Sequence, residues 1–406
     1  MQINEATWNF IRAHTGDDVH ELALRGSGDP AVDLTVALRQ IAGRQTARRK
    51  LPAWAAVEGI VYPPHLNMEQ CSSEQTARYK ASLLATPSPA VSAEGRYVDL
   101  TGGFGVDFYW MSQGFAERVY AEQNVALCAM AEHNFKVLGH DCRVVCGTAA
   151  ACLEQLSHAD AVYLDPSRRN EHGGRTYDIR DCSPDVVKLL PLLMEKADKT
   201  VVKLSPMLDW HKAVEQLKFV SEVHIVSVGN ECKELLLVLS KKAAGSLRLV
   251  CVNDGQRYEP ESTRQNSAPD GGHTAPPRLE SVGEMGKNGF LYEPNASVMK
   301  AGCFEALARD YRVKPLASNS HLFLSTDEIG DFPGRRFRIH AISSMNRREL
   351  QSALAGLSQA NITVRNFPMT VAQLRKKLRV REGGDSYIFA TTMADGKHLL
   401  FFCHKI

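Results

Sequence analysis

The chain has 406 residues, 44% of them hydrophobic and 23% charged, a balance that excludes a disordered or fibrous polypeptide and leaves room for several domains. Ten cysteines stand without a single CxxC pair, which argues against both a disulfide scaffold and a cysteine-bound metal. The net charge is only +2, so the whole molecule is no polycation; any affinity for a polyanion has to come from local clustering.

In chain order, residues 1–90 read as helices. Asn4 is placed to cap a first helix carrying Trp8, Phe10 and Ile11, and Val32, Leu34, Leu38 and Ile41 repeat at helical spacing toward a basic run from Arg44 to Lys50. Leu51-Pro52 ends that helix. Ser72-Ser73, followed by Glu74, marks another helix start running through Lys80. No basic-then-apolar run follows Met1 and no apolar stretch approaches a bilayer span, so the expectation is a cytoplasmic protein with no membrane partner.

From about Arg96 short apolar runs alternate with helical stretches: Tyr97–Leu100, Arg118–Tyr120, Val144–Cys146, Ala161–Leu164 and Thr200–Lys203. That alternation predicts an α/β domain over 91–243, with a parallel sheet covered by helices. Val223–Val228 and Glu234–Leu239 are separated by only a turn and should form an antiparallel hairpin that closes it. Between Gly255 and Gly289 the chain is polar and rich in Gly, Pro and Ser, a loop or insertion inside a small α+β domain spanning 244–334. The segment 335–406 reads strand, helix, strand, helix, hairpin, with capping-box patterns at Asn346-x-x-Glu349 and Thr370-x-x-Gln373 and a turn at Asp395-Gly396. This last segment has a charge of roughly +9, and Arg375-Lys376-Lys377-Leu378-Arg379-Val380-Arg381 is its densest run.

The chemistry concentrates at strand ends. Val98-Asp99-Leu100-Thr101-Gly102-Gly103-Phe104-Gly105 is a strand ending in an acid followed by a glycine-rich turn, where missing side chains let a ligand approach the backbone. Phe108 stands where a dinucleotide fingerprint would want a third glycine, and a pyrophosphate sits poorly beside Asp99. A sulfonium amino acid suits that acid better. About 23 residues on, Glu122 follows the second strand, where a carboxylate accepts hydrogen bonds from ribose hydroxyls. The third strand ends in Cys146-Gly147-Thr148-Ala149 and the fourth in Asp165-Pro166-Ser167-Arg168-Arg169.

Asp165 to Arg169, the upstream Glu69-Gln70-Cys71-Ser72-Ser73-Glu74-Gln75-Thr76-Ala77, and the closing Phe367-Pro368-Met369, Gly383-Gly384-Asp385 and Phe389-Ala390-Thr391-Thr392 together resemble a methyltransferase family that bears a C-terminal THUMP-like domain. The resemblance covers nearly the whole chain. It implies a Rossmann-like class I methyltransferase sheet, a ferredoxin-like module before the last domain, and S-adenosyl-L-methionine held by Asp99, Thr101, Gly102, Gly103, Gly105 and Glu122. Thr148 and Ala149 would lie near the adenine, although many methyltransferases carry an acid where Thr148 stands. Ser72, Ser73 and Thr76 would cover the cofactor from the N-terminal side.

Asp-Pro-Ser-Arg also resembles the Asp-Pro-Pro-Tyr element of nucleic-acid methyltransferases. Asp165 and Pro166 would then orient a nucleophilic nitrogen while Arg168, and Arg169 beside it, hold a phosphate or a base carbonyl. Cys182 is the nearest cysteine in sequence for carbon methylation, but a buried apolar role fits it better. Histidines lack ligand spacing, so no metal is expected. The leading expectation is methylation of a base nitrogen in structured RNA, a tRNA or rRNA, gripped through the basic segments near both ends. A methyltransferase acting on a protein or small molecule, or a non-catalytic RNA-binding protein with this fold, are the alternatives.

Overall fold

The computed structural model describes residues 3–84, 95–168, 178–241, 247–261, 289–317 and 319–406. The chain divides into two compact units, residues 1–221 with 236–243, and residues 222–235 with 244–406.

The first unit opens with helices Glu5–Ala13, Val19–Arg25 and Leu34–Lys50, each started by a carboxylate or carboxamide that accepts backbone N–H groups: Asn4 from Thr7, Asp18 from His20 and Glu21, Asp33 from Val36. Pro52 begins the next short helix, Pro52–Ala55, at the position where a missing N–H costs nothing. Helices His65–Gln70 and Glu74–Leu84 complete the segment. Two cations of the basic run are committed locally. Arg44 donates to the Ala55 carbonyl, and Lys50 donates to the Met68 and Glu69 carbonyls at 2.8 and 2.7 Å, tying off the C-terminal end of helix His65–Gln70.

The sheet of this unit is built from β1 (Arg96–Asp99), β2 (Glu117–Glu122), β3 (Arg143–Cys146) and β4 (Ala159–Leu164); a two-residue pair follows, β5 (Ser167–Arg168) with β6 (Cys182–Ser183), and then β7 (Ala197–Leu204). The order β7-β4-β1-β2-β3 is parallel throughout, with Val98 opposite both Val119 and Val162. The hairpin β8 (Val220–Val228) and β9 (Glu231–Ser240) turns at Gly229-Asn230, both with positive φ, and brings β9 beside β7. This is the class I methyltransferase sheet that the alternating pattern and the paired runs predict.

Phe108 is fully buried at the middle of an aromatic cluster with Tyr97, Tyr120, Phe135 and His140, between the sheet and the helices that cover it. Burial holds His140 neutral, its pKa lowered to about 4, and its Nε2 lies 2.8 Å from the Ser112 hydroxyl.

In the second unit β10 (Arg248–Asn253) runs parallel to β8 and antiparallel to β11 (Gln256–Tyr258). A seven-stranded sheet then forms from β12 (Phe290–Pro294), β13 (Lys314–Pro315), β14 (Phe323–Ser325), β15 (Gly334–Ser344), β16 (Asn361–Arg365), β17 (Ser386–Thr392) and β18 (His398–Lys405). Its order is β13-β14-β12-β15-β18-β17-β16. Among the described residues its strand pairings are antiparallel except β16 with β17, which a crossover through helix Val371–Leu378 makes parallel. Thr370 and Gln373 form a reciprocal capping box at that helix, as their spacing predicts. Glu349, in contrast, turns away from Asn346 and accepts from the Ser344 N–H and hydroxyl; Asn346 caps through its own carboxamide. Glu293 of β12, almost fully buried, is clamped by Arg335 of β15 and Arg365 of β16, joining three strands through one carboxylate. Most of the polar stretch between Gly255 and Gly289 lies outside the described residues.

Because the His140 pKa is below its ordinary value when folded, the unfolded chain takes up a proton between about pH 6.5 and pH 4 that the folded chain refuses. Stability attributable to this group is therefore complete above about pH 6.5 and falls as the pH drops toward 4. Denaturant melts across that window should show the loss in the native protein and a shallower one in His140→Gln.

Candidate functional site

Four strand ends of the first unit, those of β1, β2, β3 and β4, border a cavity of about 620 Å³, within the usual range for a small-molecule site. Asp99, Thr101, Gly102, Gly103, Gly105, Glu122, Thr148, Ala149, Asp165 and Ser72 all line it. The glycine turn is required by what surrounds it. A Cβ on Gly102 would lie 2.1 Å from the Tyr120 ring, and one on Gly105, already at φ +87°, would lie 2.7 Å from the Phe135 ring. A Cβ on Gly103, at φ +56°, would meet only the Thr101 carbonyl, at an uncrowded 3.8 Å, so this side of its backbone is left open to a ligand.

Around this turn the hydrogen bonds interlock. The Gly103 N–H donates to Glu122 Oε2 at 2.9 Å and the Asn124 N–H to Oε1 at 2.8 Å, so Glu122 is fixed while each oxygen keeps a lone pair for a hydroxyl. The Thr101 N–H donates to Asp99 Oδ1, and the Thr101 hydroxyl receives the Asp165 N–H at 2.6 Å, which links the ends of β1 and β4. Asp99 Oδ2 is buried with no partner among the described residues. Burial, reinforced by the negative charges of Asp107, Asp165 and Glu122, holds the Asp99 carboxyl well above the usual carboxylate range, only partly opposed by the Thr101 N–H. A buried, unfilled oxygen at the head of a glycine turn is the feature a cationic amino-acid moiety would complete. The open Gly103 backbone and the spare lone pairs of Glu122 fit a ribose, so the site suits S-adenosylmethionine.

Thr148 caps helix Ala149–Gln155 by accepting the Ala151 N–H at 3.3 Å, which explains a hydroxyl there. Ser73 and Thr76 do not line the cavity. Their side chains bond to each other, and the Thr76 N–H donates to Ser73 Oγ, so the pair starts helix Glu74–Leu84 instead. Pro166 is buried behind the wall. The Arg168 backbone pairs with Cys182 in the β5–β6 ribbon; its side chain and all of Arg169 lie outside the described residues. Cys182 is buried and does not line the cavity, whereas Cys71 does line it, with burial pushing its thiol up to about 11.

Two further charged residues at the site, Lys80 and Asp107, are given no role by the sequence. Lys80, fully buried on helix Glu74–Leu84, donates to Ser72 Oγ at 2.9 Å and pairs with Asp107 Oδ1 at 3.1 Å. Asp107 Oδ2 accepts the Ser72 and Tyr163 hydroxyls, each at 2.8 Å. Burial pushes Asp107 up, but Lys80, Lys203 and the two hydroxyls outweigh it and leave the carboxyl below its usual value. Lys203 of β7 in turn grips Asp165 Oδ2. The one sequence signal for Lys80 is its place on the face shared by the buried Thr76 and Ala77, one turn away. Asn67 and Gln70, one turn apart on helix His65–Gln70, also line the cavity.

Two family profiles match the second unit: a ferredoxin-like domain at residues 290–333 and a THUMP domain-like family at 334–405. Along its whole length the chain is similar to the crystal structure of a candidate methyltransferase from Porphyromonas gingivalis W83, with 29% identity, 100% of each chain covered and a TM-score of 0.83. A candidate class I S-adenosylmethionine-dependent methyltransferase of Listeria monocytogenes matches at 11% identity over 61% of this chain and 93% of its own, with a TM-score of 0.39. A candidate RNA methyltransferase of Pyrococcus horikoshii matches at 14% over 48% and 98%, with a TM-score of 0.33. No curated protein matches the sequence. Fold, cavity and full-length likeness define the class: this is an S-adenosylmethionine-dependent methyltransferase. Its C-terminal part carries a ferredoxin-like and a THUMP-like domain.

Two substitutions probe the site. Gly102→Ala should weaken binding of S-adenosylhomocysteine by tenfold or more, about 1.4 kcal/mol, in calorimetry, because the Tyr120 ring cannot withdraw without moving Gly103. Lys80→Met leaves Asp107 buried without its cation and should cost roughly 3–5 kcal/mol of stability in denaturant unfolding.

Proposed function

We propose that this methyltransferase acts on a base nitrogen of structured RNA, a tRNA or rRNA. The observation that carries the reading is Asp165: a carboxylate at the end of β4, lining the cofactor cavity, with its backbone N–H tied to Thr101 and one oxygen tied to Lys203. A carboxylate held there can orient an attacking nitrogen and receive its proton. When bound, S-adenosylmethionine supplies a methyl group on a sulfonium, and the nitrogen lone pair takes that carbon while the C–S electrons return to sulfur. The protein has to bind, orient and keep water out. In this reading Asp99, Thr101, Gly102, Gly103, Gly105 and Glu122 hold the cofactor, Thr148 and Ala149 border its adenine, Ser72 closes the near wall, and Pro166 stiffens the turn behind Asp165.

Carbon methylation is disfavoured, because Cys71 in the cavity wall is held as a thiol by burial and Cys182 does not reach it. RNA is favoured over a small metabolite by the THUMP-like domain and its basic helix. In helix Val371–Leu378, Leu374 and Leu378 point inward and Arg375 donates to the Ala360 carbonyl, while Lys376, Lys377, Arg379 and Arg381 stay exposed. The reading assigns separate roles to residues 1–90, 91–243, 244–334 and 335–406: a helical wall, the catalytic domain, a spacer and an RNA grip.

The test is transfer of labelled methyl from S-adenosylmethionine into total RNA of cells lacking the protein, with protein extract as a parallel acceptor. Label should enter RNA and be lost in Asp165→Ala while S-adenosylhomocysteine still binds; label in protein alone overturns the substrate. For the grip, Lys376→Ala/Lys377→Ala/Arg379→Ala should weaken RNA binding and flatten its dependence on log salt by roughly 2 to 3, the loss of about three phosphate contacts.

A further inference from the structure

Asp165 is faced by charged groups from four elements: Lys203 of β7, Lys80 of helix Glu74–Leu84, Asp107 of helix Val106–Met111, and Asp99 of β1. Of these, Lys203 makes the direct contact, its Nζ donating to Oδ2. The lysine side chain is only 12% exposed, against 35% for Asp165. An ammonium drawn out of water onto one oxygen of a cavity-lining carboxylate does more than neutralise charge. It removes that oxygen from use, fixes the carboxylate plane, and leaves Oδ1, which accepts no hydrogen bond from the described residues.

We infer that Lys203 is a positioning residue of the methyl transfer, and that the group it positions selects an acceptor nitrogen that carries a hydrogen. This rests on the reading of Asp165 given above. A carboxylate locked by an ammonium offers lone pairs only, so it attracts an N–H, as on an exocyclic amino group, and repels the in-plane lone pair of a pyridine-type ring nitrogen. A site for the latter would present a donor. In the transfer the N–C bond forms as the C–S bond breaks, and the proton on nitrogen passes to Asp165. Burial raises that carboxyl's pKa and so suits it to accept, with Lys203 opposing the rise and keeping it charged beforehand.

The experiment begins with the intact protein and total RNA from cells lacking it, comparing wild type, Lys203→Met and Lys203→Arg in single-turnover methylation across pH, with S-adenosylhomocysteine affinity and thermal melting in parallel. Removing the cation raises the Asp165 pKa further. The acidic limb of the rate profile should therefore move to higher pH in Lys203→Met, with the plateau rate down roughly 100-fold, the scale of a misplaced catalytic group. Cofactor-product affinity should stay unchanged. Lys203→Arg should keep the limb in place and restore part of the rate, and label should be found on exocyclic amino groups after digestion to nucleosides. An unmoved limb with a rate that simply follows the folded fraction, or label on a pyridine-type ring nitrogen, overturns the inference. If the wild type labels no RNA, the substrate reading fails instead. The role of Lys203 is then decided by the 13C carboxyl titration of Asp165, identified by its loss in Asp165→Asn: a higher midpoint in Lys203→Met supports it, an equal one refutes it.

Discussion

A lysine ammonium with no exposure to solvent is the constraint on which the rest of the first unit depends. Lys80 cannot be buried alone, since an isolated charge in the interior costs far more than the fold can spare. It needs Asp107 in front of it and Ser72 beside it. Asp107 is supplied by the first turn after the glycine loop and Ser72 by the residue leaving helix His65–Gln70. One ion pair thus brings together the N-terminal helices, the glycine turn and, through the Tyr163 hydroxyl, the strand that ends at Asp165. The wall formed by Asn67, Gln70, Cys71 and Ser72 is where it is because Lys80 is satisfied there, and because Lys50 secures the end of the preceding helix.

The second unit solves a comparable problem with a different cation. Glu293 is buried beneath two guanidinium groups that reach it from separate strands, so β12, of the ferredoxin-like segment, and β15 and β16, of the THUMP-like segment, share one electrostatic joint. Arginine suits that task, since its fork can bond a carboxylate and remain charged when partly buried. Arg375 and Arg365 meet internal needs of the sheet, while Lys376, Lys377, Arg379 and Arg381 stay exposed.

How much of this was legible in the sequence depends on whether the signal is local. The parallel sheet and its closing hairpin follow from apolar runs and turn residues, and the glycine turn announces itself because no other residue fits beneath Tyr120 and Phe135. That Asp99, Glu122, Thr148 and Asp165 would meet was legible because strand ends of such a sheet converge on one crevice. Lys80 and Asp107 were hidden because a lysine in a polar helix reads as solvent-facing, and its partner lies 27 positions away. Ser73 and Thr76 show the reverse: hydroxyls near a ligand in sequence are used up in starting a helix. Lys203 stood at the end of a strand, yet only the fold tells which carboxylate it reaches.

Lys80, Asp107, Lys203 and Asp165 contribute two positive and two negative charges packed into one small volume. Such an arrangement has no monopole. A neutral cluster's field falls off faster with distance than that of a single charge, and beyond about 10 Å, a Debye length at 0.1 M salt, what remains is screened. These four groups therefore add no net charge to the cavity, and the long-range pull on a cationic ligand is left to other groups of its wall, Glu122 among them.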